Sequence, residues 1–202
     1  MTPPRFPASP LPRRAGLRPA VFLDRDGTLI LDPGYQRDPA AVQLLPGAAT
    51  AVARLNAAGF VVVVVTNQSG IARGFITPTD YAAVERRIVG LFAEQRARID
   101  ATYHCPHYPS VGGPCDCRKP GTLLYRRAAE ELGLDLAASW GVGDRLSDLE
   151  PVRALGGQGL LVRTGTGCEH EEAALAAGFP VTDDLGAAVD RIIGPSTPPG
   201  TP

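Results

Sequence analysis

Short apolar runs alternate with longer stretches of helical period along most of this chain. Residues 20–23 are apolar and end at Asp24. Residues 48–58 repeat apolar positions with helical spacing, and Gly59 stands where a left-handed C-cap belongs. Residues 60–65 form an almost unbroken β-branched run, which predicts a strand covered on both faces as in a parallel sheet. A second helix is predicted over 78–98, with Thr77 as N-cap and Pro78 in its first turn. A third is predicted over 120–132, stopped by Gly133. Strands at 140–142 and 159–162 flank a helix at 146–155, and further helices are predicted over 169–177 and 184–193. This alternation predicts an α/β fold with a doubly wound, mostly parallel, Rossmann-like sheet. Residues 1–19 and 195–202 are Pro-rich without apolar period, so they are expected to be disordered tails around one domain at 20–194.

Composition narrows the function classes. The chain has 202 residues, 44% of them hydrophobic and 20% charged, which suffices for one packed core. Its net charge of −1 favours neither a nucleic-acid nor a membrane partner. No apolar run approaches the roughly 18 residues of a membrane span. The N-terminal arginines (Arg5, Arg13, Arg14, Arg18) are not followed by an apolar segment of the secretory type. A cytoplasmic protein is therefore expected, with a monomer as the default, and in a reducing compartment clustered cysteines point to metal rather than disulfides.

Four polar fragments follow the apolar runs, at the edge where open parallel sheets bind ligands. The first is L-D-R-D-G-T-L at 23–29, where Asp24 and Asp26 at i and i+2 project to the same side of extended backbone. The second is V-V-T-N-Q-S-G at 64–70, whose Thr66 and Asn67 end the most apolar strand with groups suited to phosphate oxygens. The third is C-R-K-P, with Arg118 and Lys119 placed just before the predicted helix start at Pro120. A lysine there opposes the helix dipole and suggests a nearby anion. The fourth is G-V-G-D-R-L-S-D at 141–148, where Asp144, with Asp148 four residues on, adds the carboxylate a Mg²⁺ site needs. Each fragment alone also describes an ordinary turn or cap; their order is what carries the reading.

That order resembles the four motifs of the haloacid dehalogenase (HAD) superfamily of phosphatases. The resemblance implies Asp24 as nucleophile, Asp26 as general acid and base, and Thr66 and Lys119 on the phosphoryl group. It implies Mg²⁺ held by Asp24, Asp144 and the Asp26 backbone carbonyl. Further blocks, G-Y at 34–35, L-L-P-G at 44–47, T-N-Q-S-G-I-A-R-G at 66–74 and C-P-H…C-D-C-R-K-P at 105–120, are similar to the heptose-1,7-bisphosphate 7-phosphatases. Relatives of that family include the histidinol-phosphate phosphatases. This resemblance implies a capless fold, a sugar-phosphate substrate, and a binding surface from Asp32, Pro33, Gly34, Tyr35, Asn67, Gln68, Ser69, Arg118 and Arg145.

Cys105-Pro-His107 and Cys115-Asp-Cys117 are two i, i+2 pairs that together offer a closed Cys₃His set for structural Zn²⁺. His104 competes for the histidine position; spacing and the family pattern favour His107. Cys168 has no sequence partner. The seven-residue spacer between the pairs is nearer the histidinol-phosphate type, whereas the S-G-I-A-R-G stretch belongs to the heptose type. The residues thus leave histidinol phosphate as an alternative substrate, and a zinc-ordered interaction module with a decayed site as a reading of another class. A DNA-end phosphatase shares the first motif but would show a basic groove.

Overall fold

The computed structural model of the protein describes residues 6–7 and 16–194; of the tails expected at 1–19 and 195–202, residues 1–5, 8–15 and 195–202 lie outside them. Seven strands form one sheet: β1 (Phe6–Pro7), β2 (Arg18–Leu23), β3 (Val61–Asn67), β4 (Ala101–Cys105), β5 (Leu134–Gly143), β6 (Gln158–Val162) and β7 (Val181–Thr182). Their order is β1-β4-β3-β2-β5-β6-β7, with β1 antiparallel to β4 and every other pair parallel. Helices α1 (Ala48–Ala57), α2 (Pro78–Glu94), α4 (Leu123–Leu132), α5 (Leu146–Ala154), α6 (Gly167–Ala176) and α7 (Leu185–Ile193) cover it, and α3 (Pro109–Gly112) is a single turn. The fold is the doubly wound α/β architecture expected from the sequence.

β3 shows why the sheet is central. Val62 and Val64 pack into the cluster under α1, α2 and α7, while Val61, Val63 and Val65 pack into the opposite cluster under α4. Period 2 with apolar residues on both faces makes the strand β-branched throughout, and burial stabilises each valine by roughly 1.5–3 kcal/mol.

Local chemistry sets the helix ends. Thr77 and Asp80 form a reciprocal capping box at the start of α2, with Pro78 beside it. Gly133 closes α4 in the left-handed region. Four expectations need correction. α2 ends at Glu94 rather than 98, because Arg96 turns left-handed and Ala97 bonds back to Phe92. α4 starts at Leu123 rather than 120, because residues 116–121 form a tight turn closed by Gly121 on Arg118. Lys119 therefore does not stand at a helix N-terminus. Of the tail expected over 1–19, Phe6 and Pro7 form β1, and Arg18 and Pro19 begin β2. The strand seen at 140–142 is the end of the longer β5.

The carboxyl ends of β2, β3, β4 and β5 share one edge, so Asp24, Thr66, Cys105 and Asp144 converge there. β4 was not read from the sequence. Its register sets Thr66 beside His104 and Asn67 beside Cys105, which brings the cysteine loop against the second motif. Among the described residues, the β2–α1 and β3–α2 connections contain one short 3₁₀ turn (Pro39–Ala41) and no inserted cap.

Candidate active site and metal centres

A cleft of about 400 Å³ opens at this edge. Asp24 and Lys119 lie at its base, with the Lys119 Nζ 2.5 Å from Asp24 Oδ1 and 2.7 Å from Asp148 Oδ1. Nζ also donates to the Val65 carbonyl at 2.7 Å. Burial alone would push the Lys119 amine down, yet Asp148 and Asp24 hold it well above its ordinary range. The same burial pushes Asp24 up to about 8, with Lys119 drawing it down and Asp148, Asp144 and Asp26 adding to the rise. The Asp24 carboxylate, only slightly exposed, thus sits among more negative charge than one lysine balances.

Oxygens of Asp24, Asp144 and Asp148 lie within 4.8 Å of one another. Asp144 uses Oδ2 to accept from the Thr166 N–H and hydroxyl, at 2.8 and 2.9 Å, while its buried Oδ1 has no hydrogen-bond partner. An orphaned carboxylate oxygen beside two further carboxylates is a hard oxygen set that fits a divalent cation. The cradle requires glycine. A Cβ on Gly165 would lie 2.4 Å from Asp144 Oδ2, and one on Gly27 would lie 2.7 Å from it. Asp148, absent from the metal set read in sequence, belongs to this cluster. It also accepts from the Arg145 N–H through Oδ2 at 2.9 Å, the ordinary bond of a helix first turn that hides a second role.

Asp26 faces away from the cluster. Both its oxygens accept from Arg25 Nε and Nη2 at 2.9–3.2 Å, and Oδ2 accepts from Gln68 Nε2 at 2.8 Å. Thr66 Oγ1 lies 3.5 Å from Asp26 Oδ2 and accepts from Gln68 Nε2 at 2.8 Å. Gln68, expected on the substrate, lines the cleft as well, while its largely buried Nε2 donates to both Asp26 and Thr66. Asn67 lines the cleft, but its side chain is bonded to the Lys119 backbone. Of the other residues expected on the substrate, Asp32, Gly34, Tyr35, Ser69, Arg118 and Arg145 line the cleft; Pro33 does not, and is exposed in the turn Asp32 makes by accepting from Gly34 N–H. Arg25, Gln36, Gly70 and Ser147 line it without having been foreseen.

The cysteine loop closes as expected. Sγ atoms of Cys105, Cys115 and Cys117 are 3.2–3.6 Å apart, and His107 Nδ1 lies 3.1 Å from Cys117 Sγ and 3.8 Å from Cys105 Sγ. Such separations are too long for a disulfide and approach the roughly 3.8 Å edge of a tetrahedron with ~2.3 Å metal–sulfur bonds. The set is compatible with zinc. His104 instead stacks on Tyr81, ring centroids 4.1 Å apart, inside the core. Cys168 is exposed and apart from both clusters. No helix among the described residues is long and apolar enough to cross a membrane.

The HAD-hydrolase-like family profile matches residues 116–188. The chain is similar to the D-glycero-beta-D-manno-heptose-1,7-bisphosphate 7-phosphatase of Pseudomonas aeruginosa, with 40% identity over 177 residues, 87% of this chain and 98% of that protein. The protein of the same name from Escherichia coli strain K12 is 40% identical over 153 residues, 73% of this chain and 80% of that one. Among solved structures, D,D-heptose 1,7-bisphosphate phosphatase from B. bronchiseptica, complexed with magnesium and phosphate, aligns with a TM-score of 0.76 and 36% identity, covering 86% of this chain and 97% of that chain. The corresponding enzyme from Burkholderia thailandensis aligns with a TM-score of 0.63 and 34% identity, covering 85% and 96%.

Proposed function

Since the chain belongs to the HAD-like hydrolases, in the family of the heptose-bisphosphate phosphatases, we propose that it removes the 7-phosphate of D-glycero-D-manno-heptose 1,7-bisphosphate through an aspartyl-phosphate on Asp24. The observation that carries the substrate is the pairing of one phosphoryl centre, Asp24 with Lys119, with two arginines, Arg118 and Arg145, lining the same cleft. A bisphosphate can place its reacting ester at the first and its second phosphate near the others. Histidinol phosphate carries a cationic amine at its far end and would meet the same arginines unfavourably.

In this reading Asp24 attacks phosphorus and the bond to the sugar oxygen breaks. Lys119 balances charge on the transferring group. Asp26 gives its proton to the departing alkoxide, then takes one from the water that cleaves the aspartyl-phosphate and returns Asp24. Asp24, Asp144 and Asp148, with the Asp26 backbone carbonyl, would hold Mg²⁺, which when bound supplies positive charge for the phosphoryl oxygens. Cys105, His107, Cys115 and Cys117 would hold Zn²⁺ as a structural ion that fixes the turn carrying Arg118 and Lys119.

The test is kcat/KM on both anomers of the heptose bisphosphate and on histidinol phosphate, with the position of the remaining phosphate assigned in the product. Preference for a heptose bisphosphate with the 1-phosphate retained is expected. Faster turnover of histidinol phosphate, or release from carbon 1, would refute the substrate.

A further inference from the structure

The chemistry above makes no use of the buried Glu85. Glu85 of α2 is fully buried, yet it lies against the site through Arg25. Arg25, 1% exposed, spans two carboxylates. Its Nε and Nη2 edge holds Asp26, and its Nη1, which makes no hydrogen bond, lies 3.8 Å from Glu85 Oε2. Glu85 is itself fastened: its Oε1 accepts from Thr102 Oγ1 of β4 at 2.7 Å. The Tyr81 ring lies under the guanidinium, 5.7 Å from its carbon.

We infer that Glu85 is a positioning residue for the proton-transfer step, acting through Arg25 to fix the orientation of the Asp26 carboxylate. The inference rests on the reading of Asp26 as general acid. Asp26 is partly open to the cleft, and an arginine bonded to it alone could move with it. Glu85 gives that arginine a fixed far end, tied to both a helix and the sheet. Gln68, whose backbone N–H donates to the Cys105 carbonyl at 2.7 Å, holds the carboxylate from another direction. Two anchored groups, Arg25 and Gln68, therefore define the plane from which the proton leaves. Proton transfer is sensitive to that geometry in a way that phosphoryl attack by Asp24 is not. Stability gives no reason for the arrangement, because a buried ion pair of this kind is often replaceable by apolar residues without loss.

The separating measurement is leaving-group dependence. A sugar alkoxide must be protonated as it leaves, whereas p-nitrophenolate leaves unaided, and kcat/KM reports only the steps through that departure. Glu85→Gln keeps an acceptor for Thr102 and removes the anchor of Arg25. It should lower kcat/KM on the heptose bisphosphate about tenfold or more, within the 10²–10⁴-fold that general acid catalysis supplies, and leave p-nitrophenyl phosphate within about twofold. Equal losses on both esters, or none on either, overturn the inference. Should Glu85→Gln not fold, Thr102→Val, which loosens Glu85 alone, must show the same selective loss in smaller measure; an unselective result or no loss overturns it equally. Asp26→Asn in the same assay separates the two ideas. If Asp26→Asn lacks the selectivity, the reading of Asp26 fails. If it shows the selectivity and Glu85→Gln does not, only the role of Glu85 fails.

Discussion

Asn67 holds Lys119 by both ends of its side-chain amide: Oδ1 accepts from the Lys119 N–H at 3.0 Å, and Nδ2 donates to the Lys119 carbonyl at 3.3 Å. The strand-end residue of the second motif thereby sets the height of the lysine that faces Asp24. Neither bond could be replaced by a residue that only matches size.

Asn67→Ala is therefore expected to lower kcat rather than to unfold the protein. Two backbone groups of the 118–121 turn lose their partners, a cost of about 1–3 kcal/mol that falls on the position of Lys119. Phosphate release should drop by roughly 5- to 140-fold, since that energy range converts at ~1.4 kcal/mol per decade. Steady-state kinetics beside a thermal melt would check this. Full activity would show that Lys119 is placed by other contacts.

Asp148→Asn removes one of the two carboxylates on Lys119 and one of the three at the proposed Mg²⁺ site, while its remaining oxygen can still cap α5. Apparent affinity for Mg²⁺ should weaken by about 10- to 100-fold, as for groups that support metal ligands. A Mg²⁺ titration of activity reads it out. Unchanged Mg²⁺ dependence would remove Asp148 from the site.

What the sequence disclosed follows from how local each signal is. Asp24, Thr66 and Asp144 each end an apolar run, so strand-end position alone put them on one edge. β4 carries no strand pattern of its own because its buried residues include Thr102 and His104, polar groups whose burial depends on Glu85 and Tyr81 from distant α2. An isolated sequence cannot show whether an amide such as Asn67 or Gln68 meets a substrate or its own protein. Arg25, lying between two aspartates at a strand end, reads as solvent-facing until Glu85 is brought beneath it. Asp148 stands beside Asp144 in the fourth fragment, but four residues of spacing do not show that it also reaches Lys119.

Stability should respond to pH through Glu85. Burial raises its carboxyl above the usual glutamate range, with Arg25 and Thr102 drawing it down and Asp26 adding to the rise. The folded state then binds the proton more tightly than the unfolded chain. Its contribution is fully present below the unfolded value of about 4.3 and is lost as pH rises through the higher folded value. Glu85→Gln, which cannot ionise, should gain thermal stability relative to the parent protein as pH is raised from about 4 to 7. Melting curves across that range test the sign; a parent protein that gains on the variant would reverse it.

Zinc removal should act on Lys119 as well as on the loop. Cys117 lies two residues before Lys119, and the Cys105 carbonyl accepts from the Gln68 N–H. Purified protein is expected to carry one zinc per chain, and Cys117→Ser to lose it. A loop with so little apolar core of its own should then lower Tm by several degrees, about 2–8 °C per kcal/mol for a domain of this class. Metal analysis near zero in fully active parent protein would exclude the structural ion.

Arg73 ties the loop that carries Tyr35 to the loop of the cysteine cluster. Its guanidinium donates to the Tyr35 hydroxyl and lies 5.3, 4.7 and 4.9 Å from the ring centroids of Tyr35, Phe75 and Tyr108. Tyr35 needs such a hold because its backbone is left-handed, at φ 51°, which costs a bulky residue energy. Its ring also packs over Gly70 so closely that a Cβ there would lie 2.7 Å away. Exposed cation–π contacts are worth about 0.5–1 kcal/mol each and do not add fully. Arg73→Ala should therefore free the Tyr35 side of the cleft and raise KM for the heptose bisphosphate by roughly 5- to 10-fold. kcat should change little, because Asp24, Asp26 and Lys119 are held by contacts on the sheet and not by this loop. Arg73→Lys, which keeps the charge but not the planar stack, should fall between the two. A loss confined to kcat would place Arg73 in the phosphoryl chemistry instead.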